Sequence, residues 1–351
     1  MVKLHEALSD RMTLRTSILV LAFVFSVSLL ADPGSKEDRL LFAQNKIKAD
    51  AGDSNSQIYL GIAYGMGTGV PQDDVQSTQW FLKAALQGNE MAIGLMGSCY
   101  ETGKGVPIDK SEALKWYIKA AGCNPTFPET RVFTEKVATW YRDGIGTEKD
   151  FQKARSWFNK AAELGSGSAY CQIGRMIRNG EGVIADPAAA AIYFERSAGM
   201  GDREAMYYLG VASQFGMGVD KNIEKAASYL KKSAELGYAP AQYNYALMLK
   251  AGTGVTKDLA LAYSLFAKAS MQSVWPAQMQ RGIMLANAQG CERDLVEGLA
   301  WLLIAGDANE LAAEPRDDLI KVLSPYDVTA AKRRAKQLSE DIEKGVPVLT
   351  K

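Results

Sequence analysis

With 351 residues, 47% of them hydrophobic and 23% charged, the chain has the composition of a folded protein rather than of a disordered or multi-spanning one. Lys plus Arg (40) equals Asp plus Glu (40), so no general attraction to nucleic acid or to an anionic membrane surface is built in. The one histidine, His5, lies in the N-terminal segment, which leaves the rest of the chain without the imidazole that Ser-His-Asp and Cys-His nucleophiles and His-containing zinc sites need.

Residues 1–17 carry Lys3, Arg11 and Arg15, with Glu6 and Asp10 among them, and an uncharged apolar run follows over residues 18–30. That run is short against the ~20 residues that span a bilayer, and Ser26, Ser28 and Ala31 stand where cleavage is expected. The segment 1–31 is predicted as an export signal, placing the mature protein in the periplasm or outside the cell. The alternative is an uncleaved anchor, with residues 18–30 in the inner membrane. Residues 32–52 then give a short linker and a capping helix over 37–51, with Leu40, Leu41, Ala43 and Ile47 at helical spacing.

Over residues 53–310 one pattern recurs. The clusters Gly67-Thr68-Gly69-Val70, Gly103-Lys104-Gly105-Val106, Gly180-Glu181-Gly182-Val183, Gly216-Met217-Gly218-Val219 and Gly252-Thr253-Gly254-Val255 share a form that Gly144-Ile145-Gly146-Thr147 nearly repeats. An anchor residue follows each of these six clusters and recurs once more in a seventh unit: Asp73, Asp109, Asp150, Asp186, Asn222, Asp258 and Asp294, in steps of 36, 41, 36, 36, 36 and 36 residues. Seven residues further on stand Trp80, Trp116, Trp157, Tyr193, Tyr229, Leu265 and Trp301. The long step is assigned to an insertion around Cys123-Asn124-Pro125-Thr126-Phe127-Pro128, whose two prolines break helix. Each unit reads as two helices, about 56–66 and 74–87 in the first, joined by the Gly-x-Gly turn. A glycine past the end of helix A takes the left-handed conformation, and the anchor caps helix B. Small residues at Gly61, Gly97, Ala138, Gly174, Gly210, Ala246 and Gly282 allow close helix approach, as do Ala84-Ala85, Ala120-Ala121 and Ala161-Ala162.

Leu60-Gly61, Tyr64, Gly67, Gly69, Val70, Asp73, Trp80 and Lys83-Ala84-Ala85 together resemble the pattern of the Sel-1-like repeat family, relatives of the tetratricopeptide repeats. The seventh unit departs from it where Ala288 and Cys291 replace glycine and valine. The resemblance implies an all-α, right-handed α-solenoid of about seven 36-residue repeats, acting as a protein–protein adaptor, often exported in bacteria and not usually an enzyme. It implies no cofactor.

In residues 311–351 a broken helical stretch over 309–321 precedes a strong start signal, Ser324-Pro325, and a helix whose stripe is Val328, Ala331, Ala335, Leu338 and Ile342. This helix is expected to close the C-terminal end of the stack.

No constellation signals chemistry. Gly65-Met66-Gly67-Thr68-Gly69 has neither the preceding strand nor the Gly-Lys-Ser/Thr of a phosphate loop, and its repetition points to turn geometry. Ser228-Tyr229-Leu230-Lys231 matches Ser-x-x-Lys without the companion motifs of penicillin-recognising enzymes. The basic run Lys332-Arg333-Arg334 with Lys336 reads as a solvated helix face. Cys99, Cys123, Cys171 and Cys291 form no CxxC, and Cys99 and Cys123 fall at opposite ends of a helix pair, so buried free thiols are expected and no metal site.

The candidate binding residues come from aligning helix A across repeats. At 100° per residue, two columns lie opposite the buried Leu60 column. One holds Ile58, Gly94, Glu135, Cys171, Tyr207, Tyr243 and Met279, and the other Ile62, Ser98, Thr139, Arg175, Val211, Leu247 and Ile283. Positions facing away from the core should be polar, yet from the fifth repeat onward both columns are apolar or aromatic. Either they pack between adjacent repeats, or Tyr207, Val211, Tyr243, Leu247, Met279 and Ile283 line a protein- or peptide-binding groove on the concave face. The function expected is that of an exported, non-enzymatic scaffold. The alternatives are an envelope enzyme acting on peptidoglycan or β-lactam-like substrates, which cysteine-rich members of the resembling family suggest, and a membrane-tethered regulator.

Overall fold

The computed structural model describes residues 34–345; the expected export segment 1–31 lies outside them. Among the described residues there are seventeen α-helices and no strand. Helix α1 (Lys36–Asp50) is followed by seven antiparallel A–B pairs: α2 (Ser54–Met66) with α3 (Asp74–Leu86), α4 (Glu90–Thr102) with α5 (Lys110–Ala121), and α6 (Pro128–Asp143) with α7 (Phe151–Glu163). Next come α8 (Gly167–Asn179) with α9 (Pro187–Gly199), α10 (Arg203–Phe215) with α11 (Ile223–Glu235), α12 (Ala239–Ala251) with α13 (Leu259–Ser270), and α14 (Trp275–Ala286) with α15 (Leu295–Ala308). A 3₁₀ turn, Glu310–Ala312, leads to α16 (Ala313–Val322) and α17 (Pro325–Lys344). The architecture is an all-α solenoid. The chain falls into two compact units, Met1–Ala169 and Tyr170–Lys351.

Each helix pair is closed by its anchor residue at both ends of the turn. The Asp73 amide donates to the carbonyl of Tyr64, near the end of α2, at 2.9 Å, and the Asp73 carboxylate accepts from the Gln76 amide in the first turn of α3 at 2.9 Å. Asp109, Asp150, Asp186, Asn222, Asp258 and Asp294 cap α5, α7, α9, α11, α13 and α15 in the same way. Two groups that a helix end otherwise leaves unmatched are thus satisfied by one residue.

The small residue of helix A has a specific partner. A methyl group added at Gly97 would collide with the Tyr117 ring, at Gly174 with the Phe194 ring, and at Gly210 with Leu230. These partners stand eight residues after the anchors and are buried, Tyr117 to 2% exposure, Phe194 to 3% and Leu230 to 0%. The preceding aromatic column is less uniform: Trp80 and Trp301 are buried, but Trp116, Trp157, Tyr193 and Tyr229 are only half-buried. Lys83, Lys119 and Lys160, three residues beyond Trp80, Trp116 and Trp157, lay their ammonium groups over the indole rings at 3.9, 5.2 and 4.9 Å. That contact accounts for the lysine of the Lys-Ala-Ala step: it covers an aromatic face at the edge of the core.

The turn glycines do different jobs. Gly67, Gly103, Gly144, Gly216 and Gly252 end their A helices in the left-handed region, at φ 71 to 78°. Gly105 instead nests on the preceding repeat, where a side chain would overlap the carbonyl oxygen of Asp74 at the start of α3. Gly146, Gly218, Gly254 and Gly290 press in the same manner on Lys110, Pro187, Ile223 and Leu259. Gly69 meets Asp38 in α1, 36 residues before Asp74, so α1 serves as the B helix of an incomplete leading repeat. The insertion after Cys123 does not simply break helix: Pro128 occupies the first turn of α6, which is lengthened to 16 residues.

At the C-terminal end α17 starts on the Ser324 N-cap and buries Ala331, Ala335 and Leu338. Ala335 and Leu338 join Leu285, Ala300 and Trp301 in one cluster, and Ala331 joins Leu299, Leu302 and the Leu319 of α16 in another. Arg281, in the column that holds Leu60, is 3% exposed, with its guanidinium 4.2 Å from the Trp301 ring and bonded to the Ser270 hydroxyl.

Candidate functional site

The six expected binding residues are all half-buried. Tyr207, Tyr243 and Leu247 pack on the core of the second unit around Leu230, Tyr245 and Phe266, whereas Met279 and Ile283 pack on the cluster shared with the C-terminal helices α16 and α17. The Tyr207 ring lies 5.3 Å from that of Tyr238, which introduces the next A helix, and the Tyr243 ring lies 5.8 Å from Phe266. In other repeats the same column is core outright, since Ile58 and Cys171 are buried and Gly94 leaves room for the Phe133 ring of the next A helix. A strict wheel puts this column opposite the core. The structure puts it beside the neighbouring A helix, because a helix in the middle of a stack is flanked on more than one side.

Around Tyr207 the side chains form a connected polar–aromatic group. Tyr207 meets Tyr208 at 5.4 Å, Tyr208 stacks on Phe194 at 4.9 Å, and the Arg178 guanidinium sits 4.4 Å over the Tyr208 ring. The Tyr208 hydroxyl and Arg175 Nη1 both donate to Glu204 Oε1, each at 3.1 Å. Burial pushes the Tyr208 hydroxyl up to about 12 and raises Tyr207 and Tyr238 above their ordinary values; Asn244 and Arg178 act in the opposite direction at Tyr207. These tyrosines stay neutral and act as hydroxyl donors and apolar faces. The Cys171 thiol of α8 is also raised by burial, which disfavours its thiolate.

On the corresponding face of the first unit, charges are matched internally. Lys136 Nζ lies 2.5 Å from Glu101 Oε2, with both side chains largely buried, and the Tyr117 hydroxyl donates to the same oxygen. Arg142 binds Asp143 through Nε at 2.8 Å and Nη2 at 3.0 Å. The pairing of Glu101 with Lys136 spans 35 residues, and periodicity alone does not bring such a pair together.

Ser228 and Lys231 are exposed on α11, with Lys231 facing Glu235 at 4.0 Å. All four cysteines are free; Cys99 and Cys171 are buried as expected, but Cys123 and Cys291 are half-buried because they stand at a helix end and in a turn. Of the basic run, Lys332, Arg333 and Lys336 are exposed and Arg334 binds Glu297 at 2.8 Å. No cluster of metal-ligating side chains occurs among the described residues, and no helix among them is long and apolar enough to cross a membrane. An open cleft of about 670 Å³, lined by Tyr245, Leu249, Val255 and Asp258, lies at the turn of the sixth repeat and includes none of the six expected residues.

The chain is similar to a Sel1 repeat protein from Oxalobacter formigenes, with 29% identity and a TM-score of 0.72 over 79% of this chain and 80% of that one. It also matches a protective antigen of uropathogenic Escherichia coli that displays an SLR fold (23% identity, TM-score 0.41, 88% of this chain and 98% of that one). A third match is the cysteine-rich protein B of Helicobacter pylori (27% identity, TM-score 0.30, 38% and 92%). No curated protein matches. The Sel1 repeat model matches residues 54–89, 91–124, 135–166, 167–202, 203–238, 239–274 and 275–310. Seven consecutive matches, each spanning one A–B pair or most of one, place the chain in the Sel1 repeat family.

Proposed function

We propose that this protein is an exported, non-enzymatic scaffold that binds a protein or peptide along the A-helix face of repeats five to seven, the face that a solenoid of this kind turns to its concave side. Sel1 repeats generally mediate protein–protein interactions, and the partner class follows from that. The observation that carries the reading is the half-buried aromatic and aliphatic surface of Tyr207, Val211, Tyr243 and Leu247. Tyr207, Tyr243 and Leu247 rest on the core, and all four residues keep a part-exposed surface that is too apolar for a bare solvent face. Export is supported by the uncharged run 18–30 behind a basic segment. N-terminal sequencing of the mature chain tests it: a start near residue 32 supports a cleaved signal, and an intact N-terminus overturns it in favour of the tethered form.

Because Tyr207 and Tyr243 also pack on the core, truncating them would confuse binding with stability. A photo-crosslinking residue at Val211 or Leu247 is the cleaner probe, with the exposed Ile184 turn as control. Crosslinks to one cell-envelope protein at Val211 and Leu247, competed by a peptide from that protein, support the reading. Equal capture at Ile184 overturns it.

A further inference from the structure

The A-helix faces of the two units differ in charge. In repeats one to three, the columns that contain Asn55, Ile58, Tyr59, Ile62, Gly65 and Met66 carry Lys136 and Arg142 against Glu101, Glu135 and Asp143. Both cations there are in ion pairs, with Glu101 and Asp143 respectively. In repeats four to seven the same columns carry Arg175, Arg178 and Lys250 against the single carboxylate Glu204, which Arg175 takes.

Among the described residues Arg178 and Lys250 form no ion pair and hydrogen-bond to neutral side chains, Arg178 to an Asn179 that in turn donates to Glu181. Arg178 donates to the Asn179 side-chain oxygen and covers the Tyr208 ring. Lys250 donates to Gln280 Oε1 at 2.8 Å, and burial lowers its pKa with no carboxylate to offset the effect. Arg142, Arg178 and Lys250 occupy one column, so the contrast is between equivalent positions: Arg142 is neutralised within the chain, and the other two are not. Arg175 Nε is a further buried donor without an acceptor. Half-buried cations held by amide oxygens have a hydrogen-bond acceptor but no opposite charge, and a carboxylate would add that Coulombic attraction.

We propose that the face of repeats four to six binds an acidic peptide segment of the partner, whose Asp or Glu carboxylates pair with Arg178 and Lys250 while its apolar side chains rest on Tyr207, Tyr243 and Leu247. This rests on the peptide-binding reading above and gives its partner a chemistry. Electrostatic complementarity then sets register and selects against basic partners.

The test is a random peptide library displayed on phage and selected against the full chain. A selected sequence is synthesised in two forms, as found and with every Asp and Glu replaced by Asn and Gln. Enrichment of acidic peptides, with the amide form binding at least tenfold more weakly, is the expected result. Arg178→Gln and Lys250→Gln should each weaken the acidic form by about tenfold, Arg178→Lys and Lys250→Arg should retain most of the affinity, and Arg142→Gln should change nothing. Each variant is checked for an unchanged melting temperature. Selected peptides without acidic bias, or indifference to Arg178→Gln and Lys250→Gln, overturn the charge assignment and leave the binding face standing. A library that yields no binder, or binders unaffected by Leu247→Gln, overturns both.

Discussion

The carbonyl oxygen of Asp74 fills the space into which a side chain at Gly105 would grow, with the Thr78 hydroxyl close beside it. This contact joins the second repeat's turn to the first residue of the preceding B helix. Its equivalents recur at Gly146, Gly218, Gly254 and Gly290. The second glycine of the motif therefore fixes the spacing of the stack, while the first ends a helix.

Substitution at the two kinds of glycine should separate these roles. Gly216, which ends α10 at φ 74° with nothing nearer than 3.4 Å to an added methyl group, carries only the left-handed penalty, so Gly216→Ala should cost about 1–2 kcal/mol. Gly105→Ala adds a collision with backbone and should cost about 3 kcal/mol or more. Urea unfolding of the two variants checks the difference.

The seventh turn keeps its nesting glycine but has Ala288, at φ 54°, where the other repeats place a left-handed glycine. The residue is exposed and its methyl group contributes no core packing. Ala288→Gly should raise stability by about 1 kcal/mol, read as a higher unfolding midpoint.

Acid should loosen the helix caps. The Asp53 carboxyl is held below its usual range by hydrogen bonds from Ser56, and Asp150 by the Lys153 amide and side chain. A carboxylate with a lower pKa folded than unfolded stabilises fully above the unfolded value of about 4. That contribution disappears as pH falls through this value toward the native one. The double variant Asp53→Asn, Asp150→Asn keeps the caps without the titration. Its urea midpoint should fall less than that of the parent between about pH 5 and pH 2.

Glu101 holds Lys136 and Tyr117 at one oxygen inside the first unit. Burial lowers the Lys136 pKa, and Glu101 acts against that shift. Glu101→Ala strands a buried ammonium and should cost about 3–5 kcal/mol, while Glu101→Leu with Lys136→Met should recover most of the loss. A double-mutant cycle by chemical denaturation reads the coupling directly.

Burial raises all four thiols. In the folded protein a thiol reagent should modify Cys123 and Cys291, slowly at neutral pH, and reach Cys99 and Cys171 only on unfolding. Mass spectrometry of the labelled peptides identifies the sites.

The periodic sequence determined a great deal by itself. Helix pairs, their glycine turns, the capping aspartates and the Ser324 start of the last helix all follow from local rules, because caps and turns are satisfied within a few residues of chain. The tyrosines of the candidate face were also legible, as apolar residues where the wheel demanded polar ones. What only the tertiary structure decided lies between repeats. It showed that Gly105 answers to Asp74 as well as to its own turn, and that Cys171 and Ile58 are core where the wheel turned them outward. It also showed that Arg142 and Lys136 are neutralised while Arg178 and Lys250 are not. A one-dimensional pattern gives each helix a direction for every side chain. Which neighbour waits there, and with what charge, depends on chain segments about 36 residues away that only stacking brings into reach.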